Sequence, residues 1–438
     1  MRQRSLTDIL RWGFLLMLSA AVLGSVAAWP ELRTLSLFRI LFVALAIGGA
    51  TWISLNRRLP RGVHVLAPLL FLGFWVLWTL VSLSWAADKG GAVRYSIFLA
   101  MMVSLSGGTV LAISNLRALR IALFLLLLVF GFGLFIALLE ITAGFRLPTS
   151  ALIGLPERFQ WAVTSFFHNQ NDFATYIALW LPFLVAAPFL TRSASAAVLA
   201  AVGAMVSVIC LLYTGSRTNL LALGFAGPAL LVVLALRKGT SSRWWQWLLG
   251  VGILCALVCM AYLGMRGSLW VARLPEIGTQ HWRFDTLAAE MEADVGSGGT
   301  RIKLAQGGLT MARASRFLGV GPGNAEYHLR RLPGLESVHN LHNWWLEVLV
   351  NGGIFIFVGY LYFYAYLVYN LFIVATKTKT TLTAWVASAL FAALLGYIWG
   401  SLAPSSAIHF TPMWIHFGLS LAVVNLYRKR EPEVNLTA

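Results

Sequence analysis

The chain has 438 residues, of which 59% are hydrophobic and only 11% charged, and its mean hydropathy is +0.77. That composition excludes a water-soluble globular protein of this length and describes a polytopic membrane protein. The net charge of +17, from 33 basic and 16 acidic residues, falls largely in short loops of one side, so it sets topology and is no argument for nucleic-acid binding.

Apolar runs of roughly 20 residues, each long enough to cross the hydrocarbon layer as a helix, recur along nearly the whole chain. Spans are predicted at 12–30, 36–55, 63–85, 95–113, 121–143, 169–191, 195–215, 218–236, 245–265, 345–373, 382–403 and 412–427. The alternating pattern of an outer-membrane barrel is missing, so the fold class is all-α with about 12 transmembrane helices. An even number of crossings puts both termini on one side. Arg2, Arg4, Arg11, Arg57, Arg58, Arg61, Arg117, Arg120, Arg237, Lys238, Lys377, Lys379 and Arg428–Arg430 then share that side, which the positive-inside rule makes the cytoplasm. The first apolar run has no small-residue cleavage site and is taken as a retained span.

The chain divides into residues 1–265 with nine spans, a large exported loop at 266–341, and residues 342–438 with three spans and a cytoplasmic tail. The loop holds Glu276, Asp285, Glu290, Glu292, Asp294, Glu326 and Glu336 beside a similar number of basic residues, the balance of a small soluble subdomain. Helices are predicted over 280–293 and 300–315, with Gly296–Gly299 as a separator and Gly319–Asn324 as a tight turn. Cys210, Cys255 and Cys259 all sit in apolar spans and call for no disulfide.

Chemistry gathers at the exported ends of the spans. Arg158, Arg217 and Arg266 map there against the positive-inside bias, and a guanidinium fork suits phosphate oxygens, so a lipid-linked phosphate is the expected ligand. At the start of the tenth span stands Ser337-Val338-His339-Asn340-Leu341-His342-Asn343-Trp344-Trp345-Leu346-Glu347. Polar groups at the edge of hydrocarbon are costly, which makes this run a candidate site, and a neutral imidazole can serve as a general base. Asn340 or Asn343 can also cap the following helix. Two histidines three apart could hold a metal, but position 340 is not the Glu of the zinc-protease pattern and no carboxylates complete a ligand set, so no metal is expected. A second cluster, His168-Asn169-Gln170-Asn171-Asp172, opens the sixth span either as a helix cap or as the wall of a pocket for a glycan or diphosphate. Arg301 in the second loop helix is a further candidate contact. An anion transporter would instead bury charges near the midplane of two related halves, and no inverted repeat is visible.

With Phe166 and Asn169-Gln170-Asn171 before a span, Gly215-Ser216-Arg217 between two spans, Gly319-Val320-Gly321-Pro322-Gly323-Asn324 in the loop, and a His-Asn motif followed by Leu346-Glu347 and Gly352-Gly353, the chain resembles the O-antigen ligase and polymerase superfamily, most of all its ligases. The resemblance implies a membrane glycosyltransferase of GT-C-like architecture in the bacterial inner membrane, acting at the periplasmic face without cofactor. The donor would be O-antigen on undecaprenyl diphosphate and the acceptor lipid A-core oligosaccharide, with inversion at the anomeric carbon. Carried onto this chain, His339 is the base, Arg217 and Arg266 bind the diphosphate, and Arg158, His342, Asn340, Asn343, His168, Asn169, Asn171 and Arg301 contact substrate. Spacing to Leu346-Glu347 fits His342 as the base, and position just outside the span fits His339. A polymerase, whose acceptor is a second lipid-linked glycan, shares these motifs.

Overall fold

A computed structural model describes residues 2–27, 36–56, 63–155, 162–191, 193–237, 296–332, 335, 340–404 and 408–430. Among them run thirteen α-helices and no strand: α1 Arg2–Leu23, α2 Leu37–Asn56, α3 Leu66–Ser82, α4 Lys89–Ala112, α5 Leu116–Ala143, α6 Gln170–Leu190, α7 Ala194–Leu212, α8 Arg217–Leu236, α9 Gly296–Ala314, α10 Asn324–Leu329, α11 Trp344–Lys377, α12 Thr381–Gly400 and α13 Thr411–Arg430. Nine of these are long and apolar enough to cross a membrane, and the 17-residue α3 is apolar as well. Eleven of the twelve expected spans fall on described helices, and 245–265 lies outside the described residues, as do Arg158, Arg266, His339 and the helix expected at 280–293.

Polar residues at the links start the helices. Asp88, Asn115, Asn169, Ser193 and Asn343 each accept a backbone N–H from the first turn that follows, satisfying donors that lipid cannot. Burial then sorts the helices. α6, α12 and α13 are enclosed on nearly every side and form the middle of the bundle, with α12 packed on α8, α6 and α11. The outer helices turn large apolar side chains outward, such as Phe124 at 65% exposed and Leu199 at 74%, a surface suited to acyl chains. Between α3, α11 and α13 sits an aromatic core: Trp75 and Tyr360 are 5.7 Å apart, Trp344 and Trp414 6.2 Å.

Two features depart from the sequence expectation. Gly296–Gly299 does not separate helices but forms the first turn of α9, showing that glycine weakens a helix without forbidding one. And α11 is broken at Gly353 (φ 79°, ψ −178°), a conformation almost closed to other residues. The break leaves a short segment, 344–352, ahead of the long apolar rod. Its loosened backbone is caught by neighbours: Trp78 Nε1 donates to the Gly352 carbonyl at 2.7 Å, and Ile354 N–H to Phe317 O at 2.8 Å. The expected turn at 319–324 is present, with Gly319, Gly321 and Gly323 at φ of 90°, 99° and 67°. It docks on the α3–α4 link, where Trp85 Nε1 donates to Gly319 O at 3.0 Å and Asn324 Oδ1 accepts the Asp88 N–H at 2.7 Å. Residues 296–332 are thereby fixed against the bundle beside the start of α11.

Candidate active site

The candidate residues assemble around the last turn of α12 and the link after it, residues 397–404. On one side, Gly215 (φ 68°) closes the tight turn from α7 to α8, so that Ser216 caps α8 and Arg217 is its first residue. A run of hydrogen bonds ties this turn to the start of α6. Asn219 Nδ2 donates to Ser216 Oγ at 2.9 Å and to Thr175 Oγ1 at 3.1 Å, and Thr175 Oγ1 donates to Asn171 O at 2.9 Å. The Asn171 N–H in turn donates to Asn169 Oδ1 at 2.7 Å. Asn169 is thus the helix cap that its sequence position allows, and Arg217, whose Nη1 is shut from solvent, follows Ser216 of this network as the first residue of α8. The α12 end presses on this network: a Cβ added at Gly400 would meet Asn219 Oδ1 at 3.1 Å.

On the other side, the His-Asn run meets the same link. Asn340 Oδ1 accepts the His342 N–H at 3.0 Å, Asn343 Oδ1 accepts the Leu346 N–H at 3.2 Å, and Trp344 N–H donates to Ser401 O at 3.3 Å. His342 is held between the two asparagines at φ 47°, a conformation that non-glycine residues adopt rarely and at a cost of about 1–3 kcal/mol. Burial lowers its pKa from the ordinary histidine value, the nearby Arg301 guanidinium lowers it further, and a hydrogen bond with the Pro404 carbonyl opposes both. The result is a half-buried imidazole kept neutral beside a cation. Glu347, one turn on, is buried, and it acts electrostatically on Tyr397 together with Asp172 of α6. Arg217, Asn169, Asn171, Asn340, His342, Asn343 and Arg301 therefore occupy one end of the bundle, around one link.

His168 stands apart from that group. It is exposed, and its Nδ1 bonds the Thr149 carbonyl at 2.9 Å. With Phe166, Phe167 and Asp172 it lines a cavity of about 140 Å³ between the α1 end and residues 409–412.

Sequence reasoning missed four residues around the 162–168 segment and the cavity. Glu140, buried at the end of α5, accepts the Thr164 N–H at 2.7 Å, and Arg146 Nη1 donates to Ala162 O at 3.0 Å, so the two hold the 162–164 backbone in front of α6. Arg39, in the first turn of α2, acts on His409 and lies 6.0 Å from the Phe98 ring centroid. His409 itself packs edge-on to Phe98 at 4.2 Å and reaches the cavity. A carboxylate inside an apolar run, Glu140, was the one visible signal.

Residues 202–361, which include the Arg217 turn, Arg301, His342 and the broken start of α11, match the O-antigen ligase family. Over 406 residues the chain is 29% identical to the teichuronic acid biosynthesis protein TuaE of Bacillus subtilis (strain 168), spanning 90% of this chain and 80% of that protein. This multi-pass membrane protein is thus similar to O-antigen ligases over residues 202–361 and to a teichuronic acid biosynthesis protein over most of its length.

Proposed function

We propose that the protein is a glycosyltransferase that moves a polysaccharide from undecaprenyl diphosphate to lipid A-core oligosaccharide at the periplasmic face of the inner membrane. The observation that carries this reading is the joint placement of Arg217 and His342 around residues 397–404, inside the segment matched to O-antigen ligases. The diphosphate lies on Arg217, with Arg266 and Arg158 as further contacts outside the described residues. Fixed cationic donors stabilise the charge that grows on the leaving diphosphate. His342 is the base: neutral through burial and Arg301, it takes the proton of the acceptor hydroxyl as that oxygen bonds to the anomeric carbon. The carbon–oxygen bond to the diphosphate breaks on the opposite face, the configuration inverts, and the proton leaves His342 for solvent. His339, the base expected from its place just outside the span, is the rival for this role. The polyprenyl chain stays against the apolar exterior and contributes binding that orients the head group.

A second reading keeps the chemistry and changes the acceptor to another lipid-linked glycan. It is favoured by the relative named for teichuronic acid biosynthesis, which is not a name for a lipid A-core ligase. Purified protein in liposomes, given a radiolabelled undecaprenyl-diphosphate glycan with and without lipid A-core, separates the two. Label on lipid A-core supports ligation, lengthened glycan on undecaprenyl diphosphate supports polymerisation, and label left on the unaltered donor in both arms overturns the reading.

A further inference from the structure

Residues 296–332 carry six arginines and lysines against one acid, Glu326, which pairs with Arg330. Two of the cations, Arg313 and Arg316, are exposed and have no ion pair among the described residues. They flank the turn that ends α9. Arg316 N–H donates to Arg313 O at 2.9 Å and Phe317 N–H to Ala312 O at 2.8 Å, and the chain reverses through two successive left-handed residues, Arg316 at φ 51° and Phe317 at φ 59°. A helix end of this kind needs one such residue, usually glycine. A second one with a bulky side chain is strain that its surroundings hold in place, here through the Ile354 N–H bonded to Phe317 O at 2.8 Å. The outcome is a turn with Phe317 38% and Leu318 48% exposed.

These two side chains continue a lipid-facing surface. The backbone of the turn lies against Gly353, where the apolar rod of α11 starts, and Phe355, two residues further on, is 59% exposed. Trp78 stands edge-on to both Phe355 and Trp85, with ring centroids 6.0 Å apart in each pair. Each tryptophan donates its N–H to this junction, Trp78 to Gly352 O and Trp85 to Gly319 O. Indoles with an apolar body and a satisfied N–H mark the level at which hydrocarbon gives way to head groups. At that level a phospholipid is complementary to the turn in both of its parts: phosphate oxygens fit guanidinium forks, and acyl chains cover the apolar side chains. The head group is not the reacting diphosphate, because Arg313 lies twelve residues along α9 from Arg301, the neighbour of His342, which is about 18 Å at 1.5 Å per residue. We propose that the 313–318 turn is a docking surface for an anionic phospholipid of the bilayer, with its phosphate on Arg313 and Arg316 and its acyl chains against Phe317, Leu318 and Phe355. This surface is independent of the transferase reading.

Photo-crosslinking of the full-length protein tests this. With p-benzoylphenylalanine in place of Leu318, in nanodiscs of phosphatidylcholine and a minor share of phosphatidylglycerol, irradiation attaches the lipid that lies on the turn, and the adduct mass gives its class. The same probe in place of Leu128, 60% exposed on α5, reads the bulk mixture. The expected result is phosphatidylglycerol enriched at position 318 over position 128 by at least about fivefold, the factor contributed by one basic residue at an anionic head group. The double variant Arg313→Gln/Arg316→Gln should bring position 318 back to the bulk ratio. Lipid adducts at position 128 with none at position 318 overturn the docking surface. Equal phosphatidylglycerol shares at the two positions, or an enrichment that persists in the double variant, overturn it as well. Native mass spectrometry of the chain without the probe reads the same question a second way: the double variant should retain less phosphatidylglycerol than the wild type at an unchanged thermal midpoint, and equal retention overturns the surface.

Discussion

Gly353→Ala should be the most disruptive small substitution in the described chain. At φ 79° and ψ −178° the position lies in a region essentially reserved for glycine, and forcing a Cβ into it costs about 1–3 kcal/mol. The added methyl would also run into the carbonyl groups of Leu318 and Phe317, backbone atoms that cannot rotate away. Displacing them endangers two hydrogen bonds, Ile354 N–H to Phe317 O at 2.8 Å and Trp85 Nε1 to Gly319 O at 3.0 Å, each worth about 1 kcal/mol. The sum is about 3–5 kcal/mol. Gly131→Ala, in α5 with open space around its Cβ position, is the matched control and should be neutral or stabilising by up to about 1 kcal/mol. Thermal unfolding of both variants in one detergent, followed by intrinsic fluorescence, makes the comparison. Gly353→Ala should melt several degrees below wild type and lose transfer activity, because the break positions the 344–352 segment that begins beside His342. Equal midpoints for Gly353→Ala and Gly131→Ala would refute the reasoning, since it rests on the backbone conformation and not on glycine content.

Arg217→Ala should lower kcat/KM for the lipid-linked donor by about 10²–10⁴, the loss of two charge-assisted hydrogen bonds at about 1.5–3 kcal/mol each; Arg217→Lys, which keeps the charge and loses the fork, should fall between. Activity within threefold of wild type in Arg217→Ala would remove Arg217 from the site. The acid limb of the kcat/KM profile should lie below the ordinary histidine pKa, with rate lost as pH falls and His342 takes a proton. Arg301→Gln withdraws a cation that holds this pKa down, so the limb should move to higher pH; a limb that stays put or moves the other way would contradict the pairing. Asn343→Ala removes the cap of α11 and should cost about 1 kcal/mol of stability, read as a lower denaturation midpoint, whereas Asn343→Asp should retain most of it.

The membrane helices were legible because each is a continuous apolar run bounded by capping or basic residues, a one-dimensional signal. The candidate site was legible only as motifs: Arg217 and Asn171 are 46 positions apart, and nothing in the sequence says that Thr175 and Asn219 join them. The same holds for His409, which has no motif and matters through the aromatic residues packed around the cavity. Gly352-Gly353 was visible as a pair, but the break needs the 317–319 backbone to approach from the loop. Gly296–Gly299 misled because local propensity suggested a linker where the chain instead forms the first turn of a helix.

The central claim, that a neutral histidine just ahead of α11, beside the link after α12, deprotonates the acceptor, is tested most directly by initial transfer rates of His342→Ala and His339→Ala measured side by side with saturating donor and acceptor. The account predicts a loss of at least 10³-fold in His342→Ala and a rate within tenfold of wild type in His339→Ala. Full activity in His342→Ala would contradict it, and if His339→Ala were then inactive the base would be His339.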